Sequence, residues 1–404
     1  MKLNKITAAV CAVAVAAGAA GAFPTFGDNT LPDISITASA AEIIETGIIN
    51  SDLKWRFDSE GTLTISRTTT AGSEVEMPDF EKTNDIPWTA FRDQIKKVVF
   101  GKGITYIGKG ALIECSNLTS IEFPDELYCI GMVAFFNCTS LKSVTFPDGL
   151  RLIGDGAFYG CSALEEINAP DNIYRTGDSV FTGTKWFNDQ KQENSMVKLN
   201  YILLDGTGSE YPNGVCELPI DVFGICDFAF EGESDIKTLK FGEFTINVER
   251  CAFRDCSSLT EVKLSEMLVR LGVGAFYNCK NLKSIRVPAS VKQIDNMALG
   301  YYSVNDTEQK LPGFTIYGAK DSAAEKYASE NGFTFIPNAG PGDLNTDGVV
   351  DVDDLMLMQK LVAGWKVSVN KDNADIDGQE GIGVDDLLLL QKKVAGWNVT
   401  LSYK

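Results

Sequence analysis

The sequence predicts a repeat solenoid built on a parallel β-sheet, followed by a small α-helical unit. Three observations carry this. A 23-residue period runs through the middle of the chain. Two near copies of a loop-and-helix segment follow it, offset by 32 residues without a gap. The chain opens MKLNKITAAVCAVAVAAGAAGAF, two lysines ahead of a run of small apolar residues.

That opening reads as a secretory signal peptide within residues 1–40, with cleavage after Ala22 (AGA) or Ala40 (ASA). No second apolar run of about 18 residues occurs, so no transmembrane helix is expected. The expected location is extracellular. There is no lipid-attachment cysteine after the apolar run and no wall-sorting motif, so attachment to a cell surface is expected to come through a partner. A net charge of −19 disfavours nucleic acid and anionic membrane as partners. The absence of histidine removes His-based triads, Cys–His dyads and the commonest zinc ligand.

The period is marked by an Ala-Phe or similar pair at Ala111-Leu112, Ala134-Phe135, Ala157-Phe158 and Val180-Phe181, returning at Ala229-Phe230, Ala252-Phe253, Ala275-Phe276 and Ala298-Leu299. Leu118, Leu141 and Leu164 keep the same step, as do Ile236, Leu259 and Leu282. Positions 180 and 229 are 49 apart, two periods plus three, so a degenerate repeat lies between Trp186 and Gly224. Each unit reads as a short strand, a Pro or Gly turn, a second apolar stretch ending in Ile-Gly, and a compact turn. One unit cannot bury its apolar face alone, so neighbours must stack, giving a parallel sheet along one side. Cys115, Cys138, Cys161, Cys256 and Cys279 occupy one repeat position, where a thiol serves as a small buried hydrophobe. Cys129, Cys216, Cys226 and Cys251 lie off that ladder, and pairing among them stays open. The strand residue between the second and third apolar positions points outward. These residues are Glu122, Thr145 and Asn168, then Lys240, Lys263 and Arg286. The last three form either a binding face for an anionic ligand or an ordinary solvated face.

LTSIEFPDELYCIGMVAFFNCTS and LKSVTFPDGLRLIGDGAFYGCSA closely resemble leucine-rich repeats of the BspA type. The resemblance spans about Glu42 to Pro337. It implies an N-terminal β cap over 42–94 (LKWRFDSEGTLTISRTTT), repeats over 95–313 that degenerate near 187–224, and a C-terminal cap over 314–337 (FTIYGAKDSAAEKYASENGFTFI). Members of that family are mostly read as surface adhesins and binding proteins.

The duplicated segments are DLNTDGVVDVDDLMLMQKLVAGW, from Asp343, and DIDGQEGIGVDDLLLLQKKVAGW, from Asp375. A calcium ion takes six to eight oxygen ligands, and a 12-residue loop with acids at alternate positions wraps them around it. Candidates in the first loop are Asp343, Asn345, Asp347, Asp351 and Asp354, with the Val349 carbonyl and a turn at Gly348. In the second they are Asp375, Asp377, Gln379 and Asp386, with the Gly381 carbonyl. This loop is expected to bind more weakly, because Gln379 replaces an acid, Gly383 has no side chain and Glu380 stands at the turn. A register starting at Asn373 keeps Gly378 at the turn but needs two inserted residues. IPNAGPG precedes the first loop and cannot be helical.

A duplicated loop-then-helix ending in Asp resembles a dockerin, over 341–404. The resemblance implies two Ca²⁺ sites and docking onto a cohesin module of a scaffoldin, in a cellulosome. Carried over by position, the cohesin contacts are Val352, Asp353, Gln359 and Lys360, and again Val384, Asp385, Gln391 and Lys392. Three functions are then open: a secreted non-catalytic subunit whose repeats recognise a glycan or a protein, a cellulosomal glycoside hydrolase or peptidase, and a purely structural assembly part. Hydrolysis of sugars needs two carboxylates held across a cleft. No stretch outside repeats and caps is long enough for a catalytic domain, so the non-catalytic subunit is the expectation.

Overall fold

A computed structural model describes residues 41–69, 74–194, 196–337, 340–345, 350–367, 369–371, 373–379 and 381–402. The expected signal peptide lies outside the described residues, as do Asp347, Gly348, Val349 and Glu380 of the two loops. No helix among the described residues is long and apolar enough to cross a membrane.

The first element is an antiparallel meander of Ile43–Ile48, Leu53–Asp58 and Thr62–Arg67. Leu53, Trp55 and Phe57 alternate inward with Lys54 and Arg56 outward, the period of a half-buried strand. Thr62–Arg67 then pairs in parallel with Lys97–Phe100, covering the open edge of the first repeat strand. Trp88 plugs the end of the core, its indole N–H donating to the Ala111 carbonyl at 2.9 Å.

The repeats form two parallel ladders where the sequence reading expected one sheet. The first runs through Lys97–Phe100, Ser120–Glu122, Ser143–Thr145 and Glu166–Asn168, and resumes with Val215–Glu217, Thr238–Lys240, Glu261–Lys263 and Ser284–Val287. The second is built of mostly two-residue strands, among them Cys129–Ile130, Leu152–Ile153 and Arg175–Thr176, then Gly224–Ile225, Asn247–Val248 and Arg270–Leu271. The first two end the Ile-Gly stretches of the sequence and the others stand at the same repeat position with other residues, all too short to show a period in the sequence. The following amide extends each pairing, as where Gly154 N–H donates to Ile130 O at 2.8 Å. A Cβ at Gly154 would lie 2.6 Å from the Met132 nitrogen, so only glycine lets the rungs approach this closely.

Between the ladders, equivalent phenylalanines stack rung on rung. Phe135–Phe158 and Phe158–Phe181 centroids are 5.0 and 5.6 Å apart, and Phe230–Phe253 and Phe253–Phe276 are 4.9 and 5.2 Å apart. Ladder cysteines fill the adjacent space. Cys138, Cys161, Cys256 and Cys279 each direct Sγ at a carbonyl of the preceding rung, 3.1–3.3 Å away. All nine described cysteines are free thiols, Cys129, Cys216, Cys226 and Cys251 included. Burial pushes the Cys115 thiol up to about 12, which suppresses the reactive thiolate. The five ladder thiols are therefore expected to resist alkylation in the native protein and to label fully in denaturant without reductant. A disulfide between any two of them, found by mass spectrometry, would refute this packing.

The degenerate repeat contains a helix and a hairpin. Helix α1 (Lys185–Glu193) starts at Thr184, whose Oγ1 accepts from Phe187 N–H at 3.0 Å. Val197–Leu199 pairs antiparallel with Ile202–Asp205, and the latter re-enters the second ladder beside Gly224–Ile225. Gly206-Thr207 stands 23 residues before Ala229-Phe230, so this rung contributes no phenylalanine. The stack is thus interrupted between Phe181 and Phe230. The far end is closed by Thr315–Gly318, helix α2 (Ala323–Asn331) and Thr334–Pro337, with Tyr327 hydroxyl bonded to both backbone groups of Leu299.

Two further helices follow, α3 (Val352–Val362) and α4 (Val384–Val394), packed together on a small core of Leu344, Met358, Ala374, Ile376 and Leu390.

Candidate functional site

The two loops ahead of α3 and α4 share one hydrogen-bond plan. Asp354 accepts from the amides of Leu344, Asn345 and Asp351 at 2.7–3.0 Å. Asp386 accepts from Ile376, Asp377 and Gly383 at 2.7–3.1 Å. Every partner is displaced by 32 residues, which fixes the ungapped register. Asn373 lies two residues ahead of the second loop in this register. It is buried and bridges the loops, donating to Asp343 O at 2.6 Å. Burial pushes the Asp354 carboxyl up, against the three amides that favour its ionised form.

In the second loop the carboxylates of Asp375, Asp377 and Asp386 converge, with one oxygen of each within 4.8 Å of the others. Asp375 Oδ2 accepts from Gly381 N–H at 3.1 Å, while its Oδ1 is buried with no hydrogen-bond partner among the described residues. A buried, unpaired carboxylate oxygen beside two other carboxylates is costly without a cation, and three hard oxygen donors suit calcium. The backbone N–H of Gln379 donates to Asp377 Oδ1 at 2.8 Å. In the first loop Asp343 and Asp354 are buried, Asn345 is half-buried, and Asp351 caps α3 by accepting from Asp353 N–H at 2.8 Å.

Of the eight residues assigned to a partner face, Val352, Asp353 and Gln359 are exposed, as are Val384, Asp385, Gln391 and Lys392, while Lys360 is half-buried. The sequence reading passed over two further pairs. Met356 and Leu388 lie one turn beyond Val352 and Val384, and Trp365 and Trp397 follow the helices, 65% and 62% exposed. Gly364 and Gly396, both at positive φ, turn the chain so that each Trp amide bonds back to the helix. The i, i+4 spacing and the 32-residue copy were the available signals.

The outward row on the first ladder is not a bare cationic stripe. Glu122 pairs with Lys97, Asn168 donates to Thr145, and Lys240 pairs with Glu217 at 2.7 Å. Lys263 lies beside Lys240 in register. Arg286 is half-buried and donates to Asn373 Oδ1 at 3.3 Å, tying the last repeat to the C-terminal loops.

The chain matches the family described as BspA type Leucine rich repeat region in six copies, over residues 73–202 and 215–312. Among solved structures it is similar to a leucine-rich repeat protein from Eubacterium ventriosum (18% identity, 62% of this chain and 78% of that one, TM-score 0.29). It is also similar to a leucine rich cell surface protein from Faecalibacterium prausnitzii (18%, 70% and 89%, 0.27) and a leucine-rich repeat protein from Bacteroides ovatus (21%, 72% and 99%, 0.24). No curated protein matches the chain.

Proposed function

The chain belongs to the BspA-type leucine-rich repeat family, and from that premise we propose that it is a secreted, non-catalytic binding subunit whose C-terminal module is a calcium-dependent dockerin. The repeats recognise a glycan or a protein, and the module docks onto a cohesin of a scaffoldin. One observation carries the docking half of this reading. Val352 and Met356 on α3, and Val384 and Leu388 on α4, are exposed apolar pairs at i, i+4 spacing, each directly after an acidic loop, and an exposed Trp365 or Trp397 follows each helix. Solvated single apolar residues are ordinary, but an exposed pair duplicated with its acidic loop marks a surface kept for a partner.

Calcium is expected to drive the fold of this module. Asp375, Asp377 and Asp386 repel one another across their cluster, and a cation bound only by the folded form stabilises it by mass action. Removing calcium with a chelator should lower the helical circular dichroism of the isolated 341–404 segment, and calcium should restore it. Unchanged helicity would exclude the calcium role. Docking is tested by capture of the full secreted chain on immobilised cohesin modules, in calcium and in chelator. Calcium-dependent retention is the expected result. Failure on every cohesin type, with calcium binding intact, would remove the partner and leave the metal site.

A further inference from the structure

We infer that the broken rung is itself a binding pocket, sized for one neutral sugar residue held between Ser179–Phe181 and Asp205–Asp227. In each intact turn, alternate amides donate to carbonyls of the next rung. Val133, Phe135 and Asn137 donate to Asp155, Ala157 and Tyr159 at 2.8–2.9 Å. Gly156, Phe158 and Gly160 donate to Asp178, Val180 and Thr182 in the same way. The next amides in the series belong to Ser179, Phe181 and Gly183. None of the three has a hydrogen-bond acceptor among the described residues, because the following rung was displaced by α1 and the hairpin.

A cavity of about 330 Å³ opens at this place, at the small end of the range for small-molecule sites. Ser179 and Phe181 line one side and Leu204, Asp205, Thr207 and Asp227 another, with Phe187 and Phe228 also in the lining. The opposite wall is held rigidly. Lys191 from α1 donates to Asp205 Oδ2 and to the Thr207 carbonyl, both at 2.6 Å. Arg250 holds Asp227 at 3.0 Å.

Charge selects the ligand class. Asp205 and Asp227 are neutralised by these cations, and Glu231 by Arg254 at 3.5 Å. Asp178, also in the lining, is engaged by the Ser179 hydroxyl at 2.8 Å. An anion would meet the carboxylates, and a cation would meet unpaired amide hydrogens. A hydroxyl satisfies both walls, since it accepts from an amide and donates to a carboxylate. Several hydroxyls on a compact ring with an apolar face describe a sugar residue. The pocket is separate from the first-ladder face and from the C-terminal module, so it stands or falls independently of the docking reading.

The test is saturation-transfer NMR and calorimetry on the mature chain with glucose, galactose, xylose and N-acetylglucosamine, and with potassium and ammonium chloride as ionic probes. At least one sugar is expected to bind at millimolar concentration. Thr182→Phe, which fills the cavity, should abolish that binding. Asp178→Asn, which keeps its volume, should weaken it by about tenfold or more. Circular dichroism and the thermal midpoint establish that each variant folds, and Asp178→Asn decides the matter if Thr182→Phe does not. Binding of no sugar, binding of the salts alone, or undiminished sugar binding in a folded variant would overturn the proposal.

Discussion

Replacing Phe253 by alanine is expected to destabilise the C-terminal run of repeats by about 3–5 kcal/mol. The ring is fully buried and stacks on Phe230 at 4.9 Å and Phe276 at 5.2 Å. Its loss removes apolar burial and leaves a void bounded by two rings that cannot both move in, because each is fixed by its own rung. Phe181 has one phenylalanine neighbour at 5.6 Å and the edge of Trp186 at 5.5 Å, beside the interruption, where chain can relax. Phe181→Ala is therefore expected to cost less. Urea titrations of the two variants, followed by far-ultraviolet circular dichroism, compare them. Equal small losses near 1 kcal/mol would mean that the stacked rings do not act as a continuous core.

The second large effect concerns the duplicated exposed residues of α3 and α4. If either face engages a cohesin after a half-turn of the module, removing one leaves the other intact. Val352→Ala with Asp353→Ala should then lose only about 0.4 kcal/mol, the statistical factor RT ln 2. Adding Val384→Ala and Asp385→Ala should cost several kcal/mol, as for a lost interface hot spot. Titration calorimetry against a cohesin separates the cases. A hundredfold loss in the first variant would show that one orientation alone is used. Trp365 and Trp397 offer a second probe, since their fluorescence should report which copy becomes covered.

The repeat register was legible because a 23-residue step places chemically matched residues at each rung. Ala-Phe, Leu and Cys recur where a stacked core admits little else. The second ladder was not legible. Leu152–Ile153 and its counterparts are two residues long, and their pairing depends on neighbours 23 residues away rather than on any local alternation. Helix α1 was missed for a related reason. KWFNDQKQE buries no residue fully, so it carries no strong apolar stripe, and only Thr184 at its start marks it. At the C-terminal loops the 32-residue copy predicted the register that Asp354 and Asp386 display. It could not reveal that Asn373, the start of the alternative register, is a buried strut. Nor could it show that Arg286 is occupied by that same asparagine, because the pair is 87 residues apart.

The interruption between Phe181 and Phe230 also bears on how the protein comes apart. In a linear array, stability is the sum of each rung's own contribution and the coupling to its two neighbours. Where amides go unpaired and the ring stack stops, that coupling is smallest. The array is then two cooperative blocks in series, each with its own melting behaviour, and a pulling force transmitted along the solenoid parts it first at this seam. Amide hydrogens of Arg175–Thr176, the edge strand at the seam, should exchange well before those of Leu152–Ile153 or Asn247–Val248, although all three segments occupy the same repeat position.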